Sequence, residues 1–358
     1  MDKDSLPKNS RQAPLKEGGV DISNDSLDYS EDPPKIEFPN IYPVEWTVDT
    51  PKLAELYERA KREAWNPSDI DWNSLDTRDY DDRQKTAMAY WWALLSNFEN
   101  SGPPVFAKAM IHTFEIHEQD PVKKMFASIV MDECRHDECC MRACNRLCPN
   151  FLQGWKPRNS FDEAALRNIR WVYYNGARYW RGYSTAYQRH SWPIIFSSFM
   201  LGERCASTLF SEMSKHSTHP AYTAALKNIA RDESRHLAFT WIGLEGVAKR
   251  LSDEDKKMVT KQLRAGFTFL SMILYEPPKE FWKLPPDFLD VQKKMEEIAR
   301  DSGLGVLTLD EKRECWRHAI LEVKRRMDDF GIEFPALPEI GITGKEIEFD
   351  EDSMMPTF

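Results

Sequence analysis

Asp132-Glu133-Cys134-Arg135-His136 returns a hundred residues later, with one change, as Asp232-Glu233-Ser234-Arg235-His236. Each copy holds a Glu and a His three positions apart. On a helix that spacing puts both side chains on one face, so a carboxylate oxygen and an imidazole nitrogen are presented to the same point. One such unit supplies half a coordination sphere. A single copy would more simply be a charged helix face making ion pairs in solvent. Recurrence of four fixed residues in one chain outweighs that reading, and the two copies are taken as halves of one metal site.

Four-helix bundles build binuclear sites from two Glu-x-x-His units plus one further Glu from each of the other two helices. Two more carboxylates are therefore required. Antiparallel neighbours joined by a short loop place their ligands at equal distances from that loop. Glu203 lies 15 residues before Thr218, in the loop Ser217-Thr218-His219-Pro220, and Glu233 lies 15 after it. On the other hairpin Glu133 is 13 residues past Asp120 and Glu99 is 21 before it, with Ser101-Gly102-Pro103-Pro104 interrupting the longer arm. Glu115 and Glu118 sit nearer the turn and would fall below Glu133, so Glu99 is preferred.

Helices account for most of the remaining chain. A short one is expected over 51–65, then a loop. The first bundle helix is expected over 82–100, with Ala89, Trp92, Leu94, Leu95 and Phe98 on its apolar face, followed by a second stretch over 105–117. Asp120-Pro121 reads as an N-cap followed by proline at the first helical position. Ser160 and Glu163 read as a capping box opening a long aromatic-rich helix to about His190, which carries the chain back across the bundle. Pro193 and Pro220 open the next two helices, the last running to about Arg250. Further helices are expected over 253–275, 286–300 and, after the Thr308/Glu311 capping box, up to Phe330. The fold class is thus all-α: a four-helix bundle with a crossover helix and additional C-terminal helices. Residues 1–50 read as an extended or disordered arm, 51–333 as the helical domain with its metal-binding core in 82–250, and 334–358 as a Pro-rich acidic tail.

A formal net charge of -10 argues against nucleic acid, whose phosphates need clustered Lys and Arg. No apolar run approaches the length of about 18 residues that spans a bilayer, and the first residues are polar, so a cytoplasmic protein without a membrane span is expected. Five of the seven cysteines crowd between Cys134 and Cys148 on one expected helix. That placement favours neither a disulfide framework nor, without any CxxC, a metal cluster; they read as small packing residues in a reducing compartment.

Four carboxylates against two divalent ions sum to zero charge, which removes much of the cost of burying ions in an apolar bundle. Oxygen and imidazole ligands without thiolate suit iron or manganese, and a pair of ferrous ions can give oxygen two electrons together. Asp132 and Asp232 sit beside the Glu ligands, each placed to take the second ring proton of the opposite imidazole, and Arg135 and Arg235 can pair with them in turn. Phe199, Met200, Phe210, Leu95 and Ile129 fall near the ligands by helical spacing and are candidates for the wall of an apolar pocket. His112, His117, His216 and His219 read as surface or capping residues.

This pattern resembles the ferritin-like di-iron carboxylate superfamily, which includes bacterial multicomponent monooxygenases, acyl-carrier desaturases and ribonucleotide reductase small subunits. The likeness covers about residues 80 to 250, and the two repeats are most similar to the hydroxylase subunits of the monooxygenases. Carried over residue by residue, it implies the metal ligands Glu99, Glu133, His136, Glu203, Glu233 and His236. It also implies catalytic interest in Cys140, where the reductase subunits carry a radical tyrosine and the methane hydroxylase a cysteine, which argues against a tyrosyl-radical role. Ser207 stands where the monooxygenases carry a threonine; a serine bonded back to its own helix is an equal reading. Arylamine N-oxygenases of the superfamily carry a third histidine where this chain has Ile229.

The resemblance implies two Fe ions, or a Mn/Fe pair, and an O2-activating enzyme that oxidises, first of all hydroxylates, a small organic or carrier-bound substrate in an apolar pocket. Desaturation or N-oxygenation would use the same site. Electrons would come from an external ferredoxin or reductase, since no flavin or nicotinamide fingerprint is present, and a homodimer is expected. The competing class is a ferritin-like iron-storage protein, against which stand the long arm, extra helices and tail.

Overall fold

The free N–H groups of a helix's first turn need acceptors, and several of the helix starts here are set by side chains that provide them. The computed structural model describes residues 51–115, 118–187, 192–277 and 284–348; the expected arm over 1–50 and the last ten residues of the tail lie outside them. Asp81 caps α2 (Asp82–Glu99) and Gln84 returns the bond. Ser252 and Asp255 do the same for α8 (Asp253–Leu270), and Thr308 and Glu311 for α10 (Leu309–Asp329). His219 caps α7 (Pro220–Ala248), its Nδ1 accepting from the Ala221 N–H at 3.2 Å.

Two starts differ from expectation. Gln119, not Asp120, is the N-cap of α4 (Asp120–Leu147), because the Asp120 carboxylate pairs along the helix with Lys124 at 2.6 Å. Asn159, not Ser160, serves α5 (Ser160–Tyr187): its Oδ1 accepts from the N–H groups of Phe161 and Asp162 at 3.0 and 3.1 Å.

The described residues are all-α, with two isolated bridges as the sole extended pairings among them. The four-helix core is ferritin-like. α2 packs beside α4, α6 (Trp192–His216) packs beside α7, and α4 meets α7. The crossover α5 joins the two hairpins, lying against α2; at 28 residues it is long enough to return the chain over roughly 40 Å. α3 (Gly102–Glu115) resumes the rod that α2 begins, after the expected break, and runs along α4.

Every residue of α2 from Thr86 to Asn97 is buried, not one face alone. A helix that is apolar all round belongs inside, and α4, α5 and α9 (Phe288–Ala299) together surround it. α1 (Pro51–Arg62) covers α4 and α7, while α8 and α10 cover α6. Residues 334–342 are mostly irregular and packed, and 343–348 are largely exposed. Phe334, Leu337, Ile340 and Ile342 are buried, and Arg264 of α8 holds Glu339 through two hydrogen bonds of 2.7 and 3.1 Å. Among the described residues no helix is long and apolar enough to cross a membrane.

An ion pair between α9 and α10 is wholly buried. The Lys312 ammonium of α10 meets Glu296 of α9 and donates to the Ile273 carbonyl at 2.9 Å, and neither side chain reaches solvent by more than 2%. Breaking such a pair strands a buried charge, which costs about 3–5 kcal/mol, whereas replacing both partners by apolar groups is often neutral. Urea unfolding should therefore show a loss of about that size for Lys312→Met and a largely restored midpoint when Glu296→Leu is added. Equal losses in the single and double variants would refute this account of the pair.

Candidate metal centre

The six residues expected to form the site converge at the centre of the bundle, and all are buried. Glu99 is the last residue of α2, Glu133 and His136 project from α4, Glu203 from α6, and Glu233 and His236 from α7. Their potential ligand atoms form two sets, each with all its atoms within 4.8 Å of one another: Glu99, Glu133, His136 and Glu233 in one, Glu133, Glu203, Glu233 and His236 in the other. Glu133 and Glu233 belong to both. The unequal arms of the first hairpin are accommodated by the break after Glu99, since α3 takes up the surplus length along α4. Glu115 is exposed, and Glu118 pairs with Arg250 at 2.7 Å, outside the cluster.

Each imidazole turns Nδ1 to the carboxylates and Nε2 outward. His136 Nδ1 lies 3.0 Å from Glu99 and 3.2 Å from Glu233. His236 Nδ1 lies 3.2 Å from Glu203 and 3.3 Å from Glu133. On the outer side His136 Nε2 is 3.3 Å from Asp232, and His236 Nε2 is 3.2 Å from Asp132. Each aspartate thus reaches across to the histidine of the other repeat. Arg135 contacts Asp132, and Arg235 donates to Asp232 at 2.5 Å and to Asp132 at 3.3 Å.

Burial works against charge on all four central carboxylates. It raises Glu99, raises Glu133 to about 8 with Glu233's charge adding to the effect, and raises Glu203 to about 7. Glu233 is the exception: burial is overcome by the charge of His236 and the hydrogen bonds of both imidazoles, which hold it down to about 2. Burial lowers the two histidines, but the surrounding carboxylates more than compensate, and both sit well above the usual imidazole range. Asp232 stays below the ordinary carboxylate range because His136, Arg235 and Trp65 outweigh its burial.

The donor set fits divalent ions. Glu203 Oε2, Glu233 Oε2 and His236 Nδ1 are buried without hydrogen-bond partners, although His236 Nδ1 and Glu203 Oε2 stand only 3.2 Å apart. Buried polar atoms without a well-aligned partner are costly in an interior, and a metal ion would satisfy these three together.

Three contributors had no sequence signal strong enough to find them. Trp65 donates its indole N–H to Asp232 at 2.7 Å, from 167 positions away. Glu63 accepts from Arg235 at 2.9 Å. Gly102, read above only as part of a helix break, gives room to Glu133: a Cβ there would stand 2.6 Å from Oε2.

The other candidates are placed elsewhere. Cys140 is buried one turn past His136, where burial pushes its thiol well above the ordinary range. Ser207 lines a separate groove with Arg204, Glu212, Glu311, Cys315 and His318, while Ala206 lines the cavity that adjoins the carboxylates. That cavity, of about 130 Å³, touches Glu99, Glu133, Glu203 and Glu233 and is walled by Phe98, Val105, Phe106, Phe199, Phe269 and Leu270. Of the five pocket residues expected from spacing, only Phe199 is in its wall. Ile229 and the fully buried Trp91 and Trp92 are core residues.

Outer partners fix a metal-bound imidazole's tautomer and orientation, and their loss typically costs 10–100-fold in metal affinity. Asp232→Asn keeps the shape and exchanges an accepting oxygen facing His136 for an amide. Competition against a chelator should show one ion of the pair weakened by about 10–100-fold and the other nearly unchanged. Two ions held as tightly as in the parent would rule out this role for Asp232.

No protein-family model matches the chain, and no curated protein matches it in sequence. Among solved structures, an R2-like ligand-binding oxidase with aerobically reconstituted Mn/Fe cofactor is 14% identical over 79% of this chain and 94% of its own, with a TM-score of 0.48. A variant R2-like ligand-binding oxidase with aerobically reconstituted Fe/Fe cofactor is also 14% identical, over 79% of this chain and 94% of its own, with a TM-score of 0.49.

Proposed function

We propose that the chain is a non-haem di-iron oxygenase that uses O2 to oxidise, most simply to hydroxylate, an organic substrate. The observation that carries this reading is the pair of ligand sets sharing Glu133 and Glu233 and adjoining an apolar cavity. In this assignment Glu99 and His136 complete one ion's sphere, Glu203 and His236 the other's, and Glu133 and Glu233 serve both. All six offer oxygen or imidazole nitrogen, which suits iron and leaves a mixed Mn/Fe pair open to the same ligands. Two reduced ions would supply the electrons that O2 requires, in an interior from which bulk water is kept.

The chain's own residues do the rest. Asp132 and Asp232 hold the outer ring nitrogens of His236 and His136, so each inner nitrogen stays aimed at the carboxylates. Arg235, fully buried, ties the two aspartates together and is itself held by Glu63. The phenylalanine wall keeps one side of the cluster apolar, where an uncharged C–H bond can lie next to it.

Electrons must come from outside. Trp65 is half-buried on the side covered by α1 and is hydrogen-bonded through Asp232 to His136, which supports electron entry from that side. Trp65→Phe should bind the same number of irons and be reduced several-fold more slowly by a one-electron donor, followed by stopped-flow absorption. An unchanged rate would place electron entry elsewhere.

The test of function is to load the chain with ferrous iron under argon, admit an oxygen pulse, and follow visible absorption while counting iron. Two irons per chain with a transient band, whose decay quickens with an oxidisable substrate, is the expected result. Many irons per chain passing directly to ferric mineral would make it a storage protein.

A further inference from the structure

We infer that the cavity beside the carboxylates receives an uncharged aryl group and that Gly202 sets the size of that group. The inference builds on the oxygenase reading only in calling the bound group a substrate. The cavity lies between α3, α6 and α8, and four of its eight apolar side chains are phenylalanines. Phe98 and Phe269 pair on one part of it with centroids 4.6 Å apart and planes at 56°, and Phe106 and Phe199 on another at 4.5 Å and 49°. Two tilted pairs present both ring edges and ring faces, and rings prefer to meet other rings in such offset or edge-on arrangements.

Size and charge narrow the occupant. A Leu/Ile/Phe-lined cavity of about 150 Å³ stays dry and takes up benzene, so the 130 Å³ here suits one aromatic ring. No Lys, Arg or His is among the described residues of the wall. The two serines in it are turned to their own backbone: Ser101 Oγ donates to the Phe98 carbonyl, and Ser198 Oγ to the Ile194 carbonyl at 3.1 Å. The remaining polar lining consists of the four carboxylates, so in the metal-free chain a bound carboxylate would meet other carboxyl groups and no Lys, Arg or His of the wall.

Gly202 is the position that keeps this space open. It lines the cavity one residue before Glu203, and a Cβ added there would meet nothing within 4 Å. Gly102, in the same wall, would instead drive a Cβ into Glu133. The first atom of a side chain at 202 therefore meets open space at the cavity wall, and in a helix interior a side chain also removes the cost of a glycine.

Binding is measured on the metal-free full-length chain by ¹⁹F NMR with fluorobenzene, 4-fluorobenzoate and 1-fluorohexane, and zinc bound per chain is counted separately. Fluorobenzene should bind saturably, and 4-fluorobenzoate at least tenfold more weakly. Gly202→Leu should weaken fluorobenzene at least tenfold while zinc content stays that of the parent. Ala206→Leu, one turn along the same wall, is a second plug if the first variant folds poorly. Equal affinity for the benzoate, tighter binding of 1-fluorohexane, or full binding in a folded plug variant would each overturn the inference. A parent that binds fluorobenzene as described but takes up no zinc would leave the cavity standing and remove the di-metal reading. Two zinc ions with no fluorobenzene binding would do the reverse.

Discussion

Glu233→Ala should leave the chain with essentially no bound metal, whereas Glu99→Ala should retain about one ion per chain. The difference follows from membership. Glu233 offers an oxygen to both ligand sets, facing His136 at 3.2 Å with one oxygen and His236 at 3.7 Å with the other. Glu99 belongs to the His136 set alone. Removing Glu233 withdraws one charge from each ion's surroundings, and in an interior that shortfall has no solvent to relieve it. Removing Glu99 leaves Glu133, Glu203, Glu233 and His236 intact for the second ion. Glu203→Ala should mirror Glu99→Ala, sparing the ion at His136. The measurement is iron or zinc per chain after gel filtration, with circular dichroism to confirm a folded variant. The metal-free Glu233→Ala protein should also be less stable, by a margin in the 3–5 kcal/mol range of broken buried pairs, because two imidazoles lose the carboxylate that holds them charged. Equal metal retention by Glu99→Ala and Glu233→Ala would contradict the shared-ligand arrangement.

The contrast between those two residues also marks how far the sequence could be read. The repeat itself, helical spacing and equal arms about Thr218 were enough to bring Glu203 to the level of Glu233, since two straight helices joined by a tight turn leave little freedom. Glu99 was harder because its arm is broken, and nothing local says how α3 resumes the rod. The cross-pairing of Asp132 with His236 and Asp232 with His136 was legible from the repeat, because two similar units facing each other must meet head to tail. Trp65, Glu63 and Gly102 were not. The first two arrive through α1, whose docking is a tertiary event with no local signature, and a glycine's role depends on what its missing Cβ would have touched. The cavity wall was mostly misjudged for a related reason. Spacing from the ligands selects residues on the bundle's own helices, whereas Phe106, Phe269 and Leu270 come from α3 and α8, which pack against them.

Gly102→Ala is expected to cost the chain both ions while barely changing the stability of the metal-free protein. The backbone at Gly102, the first residue of α3, is not in the left-handed region, so alanine fits it and would ordinarily stabilise by about 0.4–1 kcal/mol. The space does not fit. The new Cβ would stand 2.6 Å from Glu133 Oε2, 2.7 Å from Cδ and 2.8 Å from Cγ, so a rotation of the carboxylate alone cannot clear it. Glu133 must swing at its base, and its other oxygen then leaves its place 3.3 Å from His236 Nδ1. In the metal-free chain a raised carboxyl can make that move at small cost, because no ion depends on it. In the metal-bound chain the displaced group is one that both ions share. Thermal unfolding should therefore show similar midpoints for the metal-free parent and variant, and a rise on adding ferrous iron under argon in the parent alone. Should the variant bind two ions and gain the same rise, Glu133 would be dispensable as a shared ligand, and the two ions would have to be bridged by Glu233 alone.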